Sequence, residues 1–185
     1  WNDWWLGFTE RLQFEKTPGA GWQSRALNGK NPMFAMPELM GLSRSALPAS
    51  APSIFARLNE WATEPLSTRD RVLLLRSIQL AIIRLGPPEP HIRDELIRAL
   101  QIRYTPSDST TAELQMTCEI LVSLEAPRFV EPTLKLIDAA TSQEEKLFYL
   151  FALRNVSSGW TLADRTRYFT WLKRAEQFTG AHYLQ

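Results

Sequence analysis

Residues 147–175 read LFYLFALRNVSSGWTLADRTRYFTWLKRA, with aromatic rings at seven of these positions. Two readings compete: a stacking surface for a ligand, or the inner faces of two packed helices. In the second half, Thr161 precedes Asp164 by three residues. A threonine hydroxyl there caps the first amides of a helix, and the aspartate reaches back, its charge favoured by the helix N-terminus. Downstream, Tyr168, Trp171, Leu172, Ala175 and Phe178 recur at the spacing of one helical stripe. Asp164, Arg167, Lys173, Arg174 and Gln177 fall mostly outside it. The first half, LFYLFAL, is apolar on every side, which predicts a middle helix covered all round. Gly159 is expected to end it and Trp160-Thr161 to open the next within a very short turn. The two helices then fold back antiparallel and their aromatic faces meet. Burying a ring stabilises by ~1.5–3 kcal/mol, more than an exposed platform offers, so the stretch reads as core. Arg154-Asn155, at the end of the apolar helix, suits the helix dipole and supplies donors for the last carbonyls. That role is preferred over a substrate clamp.

Helical patterning extends outward from this hairpin. Ser67 and Asp70 mark the start of a helix running through TRDRVLLLRSIQLAIIRL to Gly86-Pro87-Pro88. Val72, Leu75, Ile78, Gln79 and Ile82 hold one face, while Leu74, Leu80, Ala81 and Ile83 fill much of the rest, predicting a helix sandwiched between neighbours. A helix over about 89–104 places Ile92, Leu96, Ala99, Leu100 and Arg103 inward. Another over roughly 109–125 points Leu114, Cys118, Leu121, Val122 and Leu124 inward. FVEPTLKLIDAA forms a short helix with Pro132 in its first turn. Thr141-Ser142-Gln143-Glu144 provides a capping box for the next. Nearer the N-terminus, residues 3–15 read as helical, with a break at Pro18-Gly19. WQSRALN and PMFAMPELMGLSRSA read as two short helices, the second strained or kinked at Pro37. LPASAPS (47–53) reads as a Pro/Ser linker, followed by a helix from Ser53 to about Ala62.

Strand-like alternation is nowhere sustained. The expected fold is all-α: a HEAT-like α-solenoid of antiparallel helix pairs, each pair with its turns averaging ~35–45 residues. It divides into irregular N-terminal helices (1–46), the linker (47–53) and regular helix pairs (54–180). A compact orthogonal bundle is the alternative.

The chain's 185 residues balance 21 Lys and Arg against 20 Asp and Glu, a formal charge of +1. This argues against a dedicated nucleic-acid or anionic-membrane binder, which usually carries a basic excess. No stretch approaches the ~18–20 uninterrupted apolar residues of a membrane span. Cys118 is the single cysteine, so neither an intramolecular disulfide nor a multi-cysteine metal site forms. The sequence opens on Trp1 and stops in mid-pattern, and is expected to be an excised piece of a longer protein. The missing signal peptide is therefore uninformative.

IIRLGPP (82–88), ELQMTCEILVSLEAP (113–127) and TSQEEKLFYLFALRNVSSGWTLADRTRYFTW (141–171), in that order, resemble the helical region of large planctomycete-type multidomain proteins. The resemblance rests on Gln143-Glu144-Glu145, Leu153-Arg154, Gly159-Trp160-Thr161 and the Tyr168-Phe169-Trp171 group. It covers roughly residues 80–180 and is looser before that, where WQSRAL (22–27) is the main echo. The family pattern continues into a Gly-Gly-x-Ser segment, where this chain has Gly180-Ala181-His182. Proteins of that kind carry a HEAT-like segment beside a haem-binding, c-type-cytochrome module, often with a propeller-like sugar-dehydrogenase-type domain upstream. The resemblance thus implies a scaffold or docking segment of an exported, haem-associated protein, located in the periplasm or elsewhere outside the cytoplasm. Its partners would be flanking domains of the same chain or another protein. Haem c would sit on a neighbouring module, because covalent attachment needs C-x-x-C-H and Cys118 is followed by Glu119-Ile120-Leu121.

The residues suggest no chemistry of their own, and no catalytic, cofactor-binding or metal-ligating residue is assigned. His91 and His182 are the two histidines, about ninety positions apart. Asp94, one turn after His91, makes a surface His–Asp pair rather than a metal site, which needs three or four ligands. Cys118 on an apolar stripe is a small core residue rather than a nucleophile. Glu144 and Glu145 are helix-start acids before they are catalytic carboxylates. Gly19-Ala20-Gly21 lacks the Lys-Ser/Thr and the preceding strand of a phosphate loop. Arg69, Arg71, Arg76, Arg84, Arg93, Arg98 and Arg103 raise the alternative of a nucleic-acid-binding helical repeat. They share no single face, however, and acids interleave them, as on a solvated mixed-charge surface. A non-covalent haem or ligand pocket is the remaining alternative.

Overall fold

The computed structural model describes residues 20–179, and the regular elements among them are all helical. In chain order they are α1 (Ala20–Asn28), α2 (Pro32–Ser45), a 3-10 turn at Pro48–Ser50, α3 (Ala51–Thr63), α4 (Thr68–Leu85) and α5 (Pro90–Ile102). There follow α6 (Thr111–Ser123), α7 (Val130–Ala139), α8 (Gln143–Arg154) and α9 (Leu162–Ala175). The helix expected over 3–15, the Pro18-Gly19 break and His182 lie outside the described residues.

Short polar side chains set most of the helix starts. Asn31 accepts from the Met33 amide, with Pro32 at the first helical position, where its missing N–H costs nothing. Ser67 accepts from the Asp70 amide. Thr110 with Glu113, and Thr161 with Asp164, form complete capping boxes. The start of α8 is one residue later than the sequence suggested: Ser142, not Thr141, is the cap, and it accepts from the Glu145 amide. Gly86 ends α4 with φ of 85° and ψ of −179°, a conformation essentially restricted to glycine.

The Pro/Ser run at 47–53 is not an extended linker. Pro48–Ser50 forms the 3-10 turn, and Ala51–Ser53 are already the first residues of α3. The reason is local, since a proline one residue into a helix loses no hydrogen bond, and Pro52 holds that place. Helix α2 likewise runs unbroken through Pro37.

The described helices form two compact units, divided between Gln101 and Ile102. In the first, α2 packs on α1, α3 and α4, and α4 also packs on α3. Met36, Leu39, Ile54, Phe55, Leu58 and Ile78 are fully buried there. Buried Glu38 accepts two hydrogen bonds from the Arg25 guanidinium, at 2.9 and 2.6 Å. Helix α4 is less covered than the expectation of a helix sandwiched between neighbours, for Ile83 is exposed and Val72 and Ile82 are half-buried. In α5, Ile97 is buried and Arg103, which lies beyond the helix end, is only half-buried.

In the second unit α8 packs on α6, α7 and α9, and α7 packs on α9. Cys118, Leu121, Leu134, Ile137, Tyr149 and Leu153 are completely buried. The Tyr104 ring stacks on Phe129 with centroids 5.7 Å apart. Its hydroxyl lies 3.2 Å from that of Thr133, which donates to the Phe129 carbonyl. Two hydrogen bonds give the sense of the α8–α9 pair: the Tyr168 hydroxyl donates to the Leu150 carbonyl, and the Thr179 amide donates to Gln143 Oε1. Moving forward along one helix of this pair means moving backward along the other, so the helices are antiparallel. No described helix is long and apolar enough to cross a membrane.

Candidate functional site: the outer face of the last helix pair

The rings of the quoted stretch divide between inside and outside. Tyr149 and Tyr168 are buried, while Phe148, Trp160 and Trp171 are half-buried. Phe151 is 58% exposed and Phe169 is 63% exposed. The expectation that the whole stretch is core is therefore corrected. Helix α8 is apolar all round in sequence, but its neighbours cover only the side carrying Tyr149, Leu150 and Leu153. Phe151 sits roughly 200° around the helix from both Tyr149 and Leu153, and so faces away from that core.

Helix α9 shows the same division more sharply. Tyr168, Trp171, Ala175 and, beyond the helix end, Phe178 lie on the inner side, as their spacing predicts. Leu172 was assigned to that stripe and is instead exposed. It belongs to a second stripe that the sequence reading missed. Leu162, Arg165, Phe169 and Leu172 recur at i, i+3, i+7 and i+10, and all four are exposed. The 3.6-residue period that would have revealed them was present, but the inner stripe drew the assignment.

The connection between α8 and α9 is longer than the tight turn expected. It occupies residues 155–161, capped by Asn155, and Gly159 adopts φ of 80°. Within it, the Trp160 indole donates to the Val156 carbonyl at 2.8 Å and packs edge-on against Tyr168 with centroids 5.2 Å apart. Tyr168 in turn meets Phe169 edge-on at 5.6 Å. These contacts border a groove of about 290 Å³ lined by Leu153, Arg154, Trp160, Arg165, Tyr168 and Phe169, with Val156 and Ser157. A smaller cavity of about 140 Å³ lies beyond the same loop, bordered by Asn155, Ser158 and the turn around Glu125. Glu125 and Arg128, which flank Ala126-Pro127, both hold positive φ, uncommon for residues other than glycine.

The electrostatics of the groove are one-sided. Arg154 and Arg165 both line it, and no carboxylate does among the described residues. Asp164, the nearest acid in sequence, is turned into the α9 cap, where it accepts from the Thr161 amide and hydroxyl. Arg154 lies over the exposed Phe151 ring, 5.6 Å from its centroid, rather than on the last carbonyls of α8. Burial raises the Tyr168 phenol above its usual range, with Arg154 opposing the shift. The opposite flank of α9 is internally compensated. Arg167 bonds Asp138, and the Trp171 indole donates to the same carboxylate at 2.8 Å, with Lys146 and Arg174 over its ring.

The other residues considered in the sequence lie elsewhere. His91 is exposed at the start of α5, and its neighbouring carboxylate is Glu89 at 3.7 Å, not Asp94, which pairs with Arg93. Cys118 is fully buried, and burial pushes its thiol up to about 12, with the adjacent Tyr104 hydroxyl partly countering. A thiol so held is protonated at neutral pH, the opposite of an activated nucleophile. Glu144 and Glu145 occupy the first turn of α8, as expected. Among the described residues, no three of His, Cys, Asp and Glu gather as a metal-binding group. Neither a protein-family model, a curated protein nor a solved structure matches this chain.

Proposed function

We propose that the chain is a non-catalytic, HEAT-like helical-repeat segment that docks a protein partner or a neighbouring domain of its own chain. Helix pairing supports the repeat reading: the described helices pack chiefly on elements one or two places along the chain. Stacked helix pairs produce that order of contacts and present an extended surface from each layer. The observation that carries the docking role is the outer stripe Leu162, Arg165, Phe169 and Leu172, flanked by Phe151 and Arg154. Aromatic rings and arginine are enriched at interfaces, where they contribute large contact area. The setting suggested by the family resemblance is an extracytoplasmic, haem-associated parent protein, with haem c on another module and this segment spacing or holding that module.

The test is capture of the flanking domains of the parent protein by the immobilised chain. Binding is expected for at least one, with loss on the double substitution Phe169→Ser and Leu172→Ser, both at exposed positions. Failure of every flanking domain to bind, or binding indifferent to the double substitution, would overturn the docking role assigned to this face.

A further inference from the structure

The groove between α8 and α9 carries a charge pattern that narrows the partner's chemistry. We infer that its occupant is an acidic amphipathic segment of another polypeptide, whose carboxylates seat on Arg154 and Arg165 while its apolar side chains pack along Leu162, Phe169 and Leu172. This rests on the docking reading above and adds the class of partner.

Three observations converge on it. Two guanidiniums line one groove of about 290 Å³ with no lining acid among the described residues. Among the described residues neither arginine is in an ion pair, although neighbouring Arg167 is satisfied by Asp138. A planar guanidinium presents a donor fork that fits a carboxylate, and two of them flanking an apolar floor favour an anion with an apolar neighbour. The floor itself is aromatic: Trp160 and Phe169 each meet the buried Tyr168 ring edge-on, which holds them in place before a partner arrives. The exposed stripe on α9 repeats every three to four residues, the ridge that a second amphipathic element packs against. A lone small anion would use the arginines and leave Leu162, Phe169 and Leu172 in water. A nucleic-acid backbone would demand more than two cations along its path.

The experiment is selection of a random peptide display library on the full chain, followed by affinity measurement for an enriched peptide. Enrichment of sequences with Asp or Glu beside Leu or Phe is expected. Arg165→Glu or Arg154→Glu should weaken that peptide about tenfold, and exchanging the peptide's acids for lysines should restore binding to the charge-reversed variant. Both arginines are exposed, so circular dichroism of the variants should match the parent, with only a small drop in melting for Arg154→Glu, whose charge opposes the α8 dipole. Enriched peptides without acidic bias, or binding indifferent to both arginines, would overturn the inference while leaving the docking role standing. No enriched peptide at all would likewise overturn the inference, while capture of the flanking domains decides the docking role separately. Equal competition by inorganic phosphate would reduce the groove to a plain anion site and likewise overturn it.

Discussion

The Cys118 thiol and the phenols of Tyr104 and Tyr149 are neighbours inside the second unit, and burial raises the pKa of all three. The linkage follows directly. Below about pH 9, the ordinary value for the thiol, the groups are protonated in both folded and unfolded chains, and their contribution is fully present. As pH rises through about 12, the unfolded chain releases protons that the folded chain retains, so stability falls. Denaturation midpoints measured across this range should decline from about pH 9 upward, and Cys118→Ala should flatten the early part of the decline. A thiol reagent should leave Cys118 untouched until denaturant is added; fast labelling of the native chain would contradict its burial. Exposure sets a second contrast. Leu134→Ala, at a fully buried position, should cost about 2–5 kcal/mol in chemical denaturation. Phe151→Ala should stay within about 0.5 kcal/mol, because most of that ring is already in water. Equal losses would mean that Phe151 is core after all. The Tyr149 hydroxyl is buried with no hydrogen-bond partner among the described residues, a cost that burial of its ring offsets.

Caps govern where each helix begins, and they act within a single turn. Thr161→Ala should weaken the unit by about 1 kcal/mol, since it leaves the Asp164 amide without its acceptor. Gly86→Ala should cost about 1–3 kcal/mol through backbone strain alone, as nothing lies within 4 Å of the added methyl. Melting of each variant decides both cases, and an unchanged midpoint for Gly86→Ala would show that the α4 terminus readily adopts another conformation. This is the scale at which the sequence was most legible. The T-x-x-D of α9 and the S-x-x-D of α4 were read where they occur, and the T-x-x-E at Thr110–Glu113 was equally visible but passed over. The Pro/Ser run at 47–53 misled because the same residues serve linkers and helix starts alike, and only the hydrogen bonds that follow separate the two.

For the whole molecule, the near-neutral charge is spread over mixed-sign faces: Arg25 bonds Glu38, Arg57 bonds Glu60, Arg93 bonds Asp94 and Lys135 bonds Glu131. With its arginines partly compensated in this way, the chain should pass a duplex DNA column unretained at low salt; strong retention released steeply by added salt would favour the nucleic-acid reading instead. The sequence by itself determined the helical class, the positions of most helices and the capping that starts them, because each depends on side chains within one turn of the backbone they satisfy. Tertiary structure alone decided which apolar faces are covered. Tyr149 and Phe151 stand two residues apart on one helix, yet one is sealed by α6, α7 and α9 and the other meets solvent. Burial depends on what a distant segment brings to a face, and no local pattern in a helix apolar on every side records which face that will be.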